Sequence, residues 1–232
     1  MGAQDPTNRR RWGPGHTRRA AGSLVALLLA LTFSVTGCLP DANNDGRRVW
    51  LMVGDSNTHF TGCSYPLQLQ AQLDPAATLI VDAGVFGSAA WGWIRDDTLA
   101  PLLAADPKPD GVVFALGTND IGSHRTVDQL IADLEALRSQ AQAAGVHPFM
   151  ATIPPRYDVV TGLRDADFEA ARVEVNAHLR TTTPATRLVD FDSWMPDTWS
   201  ADFMCTWYGV LDAVHINCDA HEIRAAVLRS LL

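Results

Sequence analysis

Basic residues are the scarce class in this chain: 18 Lys and Arg stand against 26 Asp and Glu, a formal charge of −8 over 232 residues. The shortage deepens past the N-terminus, because Arg9, Arg10, Arg11, Arg18 and Arg19 all fall within the first 37 residues, where Asp5 is the sole acid. With that segment set aside, 13 bases face 25 acids, a balance of −12. A surface of that sign repels phosphate backbones and anionic headgroups, which argues against nucleic acid and against a membrane held through a basic patch. No group of His and Cys has the spacing of a metal site, so neither metal nor cofactor is expected. Internal repeats, low-complexity tracts and a second domain are also lacking. What remains, 47% hydrophobic and 19% charged, suits a single globular core.

The N-terminus has the order of an export signal. A basic, irregular stretch from Arg9 to Arg19 precedes Ala20 to Thr36, AAGSLVALLLALTFSVT, which carries no charge. That run is shorter than the roughly 20 strongly apolar residues of a spanning helix and is diluted by Gly22, Ser23, Thr32 and Ser34. Its end, Val35-Thr36-Gly37-Cys38, resembles the lipobox of bacterial lipoproteins, with Val35 in place of the usual Leu. The resemblance implies that residues 1–37 are removed and that Cys38 becomes a lipidated first residue, anchoring the protein on the outer side of the cell membrane; plain secretion is the alternative. The Pro-, Asn-, Asp- and Gly-rich residues 38–46 read as a tether, so the folded domain is expected over 47–232. Export leaves Cys63, Cys205 and Cys218 where disulfides persist, and a Cys205–Cys218 bridge across the Asp212–His215 segment is one possible pairing.

Short apolar runs at 49–53, 78–81, 111–116, 148–153 and 187–191 are bounded by Gly, Pro or Asp and read as buried strands. Between or after them, 66–73, 93–104, 127–144, 167–180 and 220–232 are amphipathic and read as helices, with Gly145 as a left-handed stop to the third. Strict alternation predicts a five-stranded parallel sheet with helices on both faces, a three-layer, doubly wound α/β/α sandwich of flavodoxin-like type. Its ligands would bind at the carboxyl ends of the strands.

Four segments fall at such ends: Gly54-Asp55-Ser56-Asn57, Asp82-Ala83-Gly84-Val85-Phe86-Gly87-Ser88, Gly117-Thr118-Asn119-Asp120 and Asp212-Ala213-Val214-His215. In type and order they resemble the blocks of the SGNH (GDSL-type) hydrolase superfamily, over essentially the whole domain. The resemblance implies a serine esterase with Ser56 as nucleophile, His215 as general base and Asp212 orienting the imidazole. It also implies an oxyanion hole from the N–H groups of Ser56 and Gly87 and the amide of Asn119. Gly84 competes with Gly87 for that role. Asn57 replaces the Leu of the family's name, a variation expected not to touch the chemistry, and Asp82 stands where Asn is frequent. A Ser hydroxyl needs such a base near neutral pH, and an Asp three residues ahead can reach the imidazole Nδ1–H if the chain makes one turn. The Gly-x-Ser-x-Gly elbow of the α/β-hydrolases is absent.

Other polar residues invite blander readings. His59 lacks an acid at useful spacing and reads as solvated or capping, and Asp120 as a cap. The acidic pairs Asp96-Asp97 and Asp190/Asp192 suggest a two-carboxylate glycosidase but suit exposed turns better. Trp91, Trp93, Trp194, Trp199, Trp207 and Tyr208 are candidates to line a cleft for a sugar face or an acyl chain. The expected activity is hydrolysis of a carboxylic ester, of a short or acetyl chain foremost, on a glycan or other small substrate, by a monomer. Acyl transfer to a glycan, a lysophospholipase or lipase activity, and glycan binding without catalysis are the competing readings.

Overall fold

The structure, a computed structural model, describes residues 41–156, 165–194, 204–207 and 210–232, without the side chains of 204–207 and 210–213. Five strands form one parallel sheet in the order β2-β1-β3-β4-β5: β1 Arg48–Gly54, β2 Thr78–Gly84, β3 Gly111–Ala115, β4 His147–Ala151 and β5 Leu188–Val189. This is the expected doubly wound sandwich.

Alternation along the strands divides the core. Leu51 and Val53 of β1, with Val112 and Phe114 of β3, join a cluster that includes Trp93, Leu130, Leu134, Leu137, Val175 and Leu179. These come from α2 (Ala90–Arg95), α5 (Val127–Ala143) and α6 (Ala166–Thr182). Trp50, Met52, Val113 and Phe149 point the other way, onto Tyr65 and Leu69 of α1 (Tyr65–Ala71) and onto Ala225 and Leu228 of α7 (Cys218–Arg229). Because side chains alternate with a period of two, both faces of a central strand must be apolar, and six of the seven β1 residues are buried.

Helix α5 shows how local sequence sets an element. Leu130, Leu134, Leu137 and Ala141 recur at three or four residues and form its buried stripe. Thr126 and Gln129 close a reciprocal capping box at 3.3 and 3.2 Å, and Gly145, at φ +71°, ends the helix where a Cβ would be strained.

Four departures from expectation have physical causes. The single helix read over 93–104 is two, α2 and α3 (Leu99–Leu103), because Asp97 adopts φ +47° between them. A short helix, α4 (Thr118–Gly122), follows β3 directly. Residues 41–46, assigned to a tether, make bends in which the Asp41 carboxylate accepts from the amides of Asn43, Asn44 and Gly46. Ala42 N–H donates to Asp110 and the Asn43 side chain pairs with the Lys108 backbone, so this stretch is stitched to the domain. Lastly, the segment ahead of α7 is an antiparallel hairpin of β6 (Met204–Trp207) and β7 (Val210–Ile216). Cys38 and the whole export segment lie outside the described residues. Among those described, no helix is long and apolar enough to cross a membrane.

Candidate active site

Strand β1 ends at Gly54, and the chain turns at once: Thr58 and His59 N–H both donate to Asp55 C=O at 3.0 Å. Ser56 therefore sits on a tight turn at the carboxyl end of a central strand. His215 arrives from the far end of the chain on β7. Its Nε2 lies 2.8 Å from Ser56 Oγ, the contact required for a base to take the hydroxyl proton. Asp212 lies on the same strand, so the backbone from 212 to 215 is extended and does not make the single turn anticipated for its reach back to His215. The Asp212 carboxylate lies outside the described side chains.

The second and third blocks are tied to the same strand end. Gly54 C=O accepts Val85 N–H at 3.0 Å and the Ser88 hydroxyl at 2.9 Å, which hangs the loop after β2 from the residue where the Ser56 turn begins. The Asn119 amide donates to Ser88 C=O at 2.9 Å, placing it beside Gly87-Ser88. Between the two candidate glycines the geometry favours Gly87. Gly84 N–H is already given to Asp82 Oδ1 at 2.9 Å, and a Cβ there would collide with Thr58 and His59. Gly87 instead occupies a turn at φ +71° and lines an open cleft. That cleft, about 320 Å³, is walled by Val85, Phe86, Trp91 and Trp93, with Arg95 stacked 4.4 Å from the Trp91 ring. Phe86 is 59% exposed, an unusual state for a large apolar ring and one suited to a binding surface. Trp194 is exposed; Trp199, Tyr208 and the Trp207 side chain lie outside the described residues.

Ionisable groups crowd the opposite side of the Ser56 turn. Asp55 is buried, and desolvation pushes its carboxyl up to about 6, partly opposed by the Asn57 N–H it accepts and by the Arg224 charge. Arg224 is 2% exposed and faces the rings of Phe191 at 4.6 Å and Tyr65 at 5.8 Å; burial lowers its pKa. Among the described residues no carboxylate lies within ion-pair distance of it. Asp55, Asn57, Thr118, Thr152 and Arg224 share the walls of a small cavity of about 10 Å³, the size of one water. His221, stacked between Phe60 at 5.2 Å and Tyr65 at 6.4 Å, is wholly buried, and neither ring nitrogen has a hydrogen-bond partner among the described residues. Burial, with the charges of Arg224 and His215, drives its pKa down to about 3, so it is neutral.

Several readings of single residues are corrected. Asn57 reaches across to the His215 strand: its amide donates to Val214 C=O at 3.3 Å and accepts Ile216 N–H at 3.2 Å. His59 does have an acid: its Nδ1 lies 3.0 Å from Asp82 Oδ2, because parallel pairing sets Gly54 beside Gly84. The disulfide joins Cys63 to Cys218, with Cα atoms 5.4 Å apart, and not Cys205 to Cys218. Neither Arg224 nor His221 is suggested by any motif. Both follow from the 3–4 spacing of α7, which turns His221, Arg224, Ala225 and Leu228 inward together.

Asp120 caps α2, accepting Ala90 N–H at 2.9 Å and Trp91 N–H at 3.4 Å, and burial raises its pKa. Three of the four paired acids are held by arginines: Arg95 holds Asp96, Arg180 holds Asp190 and Asp192, and Arg172 also holds Asp192, with Asp190 and Asp192 half-buried where exposed turns were expected. Carboxylates so neutralised are poorly placed for glycosidic acid–base work. Among the described residues no group of three His, Cys, Asp or Glu is placed to hold a metal.

A serine hydroxyl bonded to an imidazole, at the carboxyl rim of a parallel sheet, is the arrangement of a serine hydrolase. The model of the GDSL-like Lipase/Acylhydrolase family matches residues 52–223, more than half of the chain, and the chain belongs to that family; it is an ester hydrolase of the SGNH type. No curated protein matches the sequence significantly. Among solved structures, a carbohydrate esterase family 3 protein from Talaromyces cellulolyticus is 22% identical, with a TM-score of 0.60 over 78% of this chain and 94% of that one. An acetylxylan esterase from Geobacillus stearothermophilus is 17% identical, with a TM-score of 0.58 over 82% and 95%. A lipolytic G-D-S-L protein from Veillonella parvula is 18% identical, with a TM-score of 0.62 over 79% and 97%. At these identities the likeness is one of fold.

Proposed function

We propose that this protein is an exported serine esterase that removes short acyl groups, acetyl foremost, from a glycan or similar polyhydroxy substrate, with Ser56 as nucleophile and His215 as base. The observation that carries the reading is the 2.8 Å contact between Ser56 Oγ and His215 Nε2. Ser56 Oγ attacks the ester carbonyl while Nε2 takes its proton, and the carbonyl electrons move onto the oxygen. Backbone N–H groups of Ser56 and Gly87 and the Asn119 amide receive that oxyanion; losing one such donor typically costs about 100-fold to 1000-fold in turnover. Collapse expels the alcohol, protonated by His215, and leaves an acyl-serine. Water then gives a proton to His215, attacks the acyl carbon and frees the acid, with Ser56 recovering its proton from Nε2. Asp212 is assigned to the Nδ1–H of His215.

The acetyl preference draws on relatives in fold that are described as acetylxylan and carbohydrate esterases. Two features support export and lipid anchoring at Cys38: the signal-like N-terminus and a Cys63–Cys218 disulfide that suits an oxidising compartment. The test is labelling with a fluorophosphonate alongside a chain-length series of aryl esters and acetylated glycans. Ser56→Ala is expected to abolish both labelling and hydrolysis while keeping the fold; retained hydrolysis removes Ser56 as nucleophile. Efficient turnover of long acyl chains through the Phe86–Trp91 cleft would move the substrate to lipids.

A further inference from the structure

We propose that Asn57 is the positioning residue for the catalytic imidazole, a clamp that holds the backbone on both sides of His215 and is itself anchored by Arg224. The inference rests on the reading of Ser56 and His215 as nucleophile and base, and adds a residue that the family's named motif does not supply. Asn57 is 3% exposed and follows Ser56 directly. Its planar amide acts toward β7 as a neighbouring strand would: Nδ2 donates to Val214 C=O at 3.3 Å and Oδ1 accepts Ile216 N–H at 3.2 Å. One such bond would hold only one flank of His215. Two from a rigid group, one on each flank of residue 215, fix the height and the rotation of the His215 Cα, and hence where Nε2 falls.

The clamp is held from behind as well. Asn57 N–H donates to Asp55 Oδ1 at 2.8 Å, and Asn57 C=O accepts from Arg224 Nη1 at 3.3 Å. Nucleophile and clamp are therefore adjacent residues on one turn, so the turn that carries the hydroxyl also sets its distance from an imidazole 159 residues away. This gives the buried Arg224 a use. A cation facing the rings of Phe191 and Tyr65, with no acid in ion-pair range among the described residues, is poorly explained by stability alone. Its hydrogen bond fixes the carbonyl of a residue that bridges the two catalytic segments.

Misplacing a reacting group by about 1 Å can cost on the order of 100-fold in rate. Asn57→Leu, which keeps the branching of the side chain but makes neither bond, is expected to lower kcat by about 10-fold to 100-fold with KM unchanged and to slow fluorophosphonate labelling of Ser56 in parallel. Asn57→Asp, which keeps an acceptor for Ile216 N–H and loses the donor to Val214, is expected to fall between. Hydrogen exchange gives a reading independent of turnover: the Ile216 amide should be protected in the parent and exchange faster in Asn57→Leu. The proposal is overturned if folded variants keep the parent kcat, if their loss lies wholly in KM, or if the Ile216 amide of the parent exchanges as freely as an exposed one. Ser56→Ala, run alongside, separates two failures. If it retains hydrolysis, the serine reading falls and the clamp with it; if it is inactive while the Asn57 variants are unimpaired, the clamp alone falls.

Discussion

The two faces of the sheet each bury an arginine, and they treat it differently. On the α5–α6 side, Arg172 is 3% exposed and bonds to Glu169, Asp192 and Ile153 C=O, while its neighbour Asn176 satisfies both the N–H and the C=O of Ile153, at 2.8 and 2.9 Å. On the α1–α7 side, Arg224 has no acid in ion-pair range among the described residues, its Nε lacks a partner, and His221 beside it has both nitrogens unpaired. A buried polar group without partners costs stability; a buried ion pair is at least self-consistent. The first face is built to hold together. The second tolerates unpaired polar atoms where they pack against the turn carrying Ser56 and the helix that follows His215, as expected where a fold departs from its own rules at a functional site.

The contrast is most directly broken on the paired side. Arg172→Met takes the buried guanidinium away from Glu169, Asp192 and Ile153 C=O, leaving Arg180 on Asp192, and removing one partner of a buried pair costs up to about 3–5 kcal/mol; urea unfolding of variant and parent should show it as a lowered midpoint. The α1–α7 face has a covalent substitute. Cys63–Cys218 joins the loop before α1 to the first residue of α7 across 155 residues, and Cys63→Ser is expected to lower unfolding free energy by about 2–4 kcal/mol in non-reducing buffer and by nothing in reductant.

A third effect sharpens the comparison through pH. His221 has a folded pKa of about 3 against an ordinary 6.5, so the unfolded chain binds a proton that the native one refuses. Its stability contribution is whole above about 6.5 and is lost as pH falls toward 3, at up to about 1.4 kcal/mol per pH unit. His221→Phe keeps the stacking with Phe60 and Tyr65 and removes that titration. The difference in stability between variant and parent should therefore grow in the variant's favour on acidification, with the opposing titration of Asp55 common to both. A difference independent of pH between 7 and 4 would show that His221 is not held neutral.

Legibility in the sequence followed the same division. Elements whose stability is apolar and periodic were plain from the residues: the alternation of Trp50–Val53 and the Leu130–Leu134–Leu137 stripe of α5 are strand and helix on either reading. Ser56, His215, Asn119 and Gly87 could be named because motif order carries them, and the structure does bring the Ser56 and His215 side chains together. What escaped were pairings made by the topology. His59 meets Asp82, Cys63 meets Cys218, and Asn57 meets Val214 and Ile216 across separations of 23, 155 and about 158 residues, which no local spacing encodes. The β6–β7 hairpin was missed because its strands pair with each other and not with the main sheet, so they break the βα alternation used to find the rest.

One carbonyl has a consequence for how this rim moves. Gly54 C=O receives both Val85 N–H and the Ser88 hydroxyl, while the chain just past it swings out to present Ser56. The Ser56 turn and the Gly87-Ser88 loop share that foothold, so a displacement of the strand tip carries both. The spacing between turn and loop is then buffered against motions of the scaffold beneath.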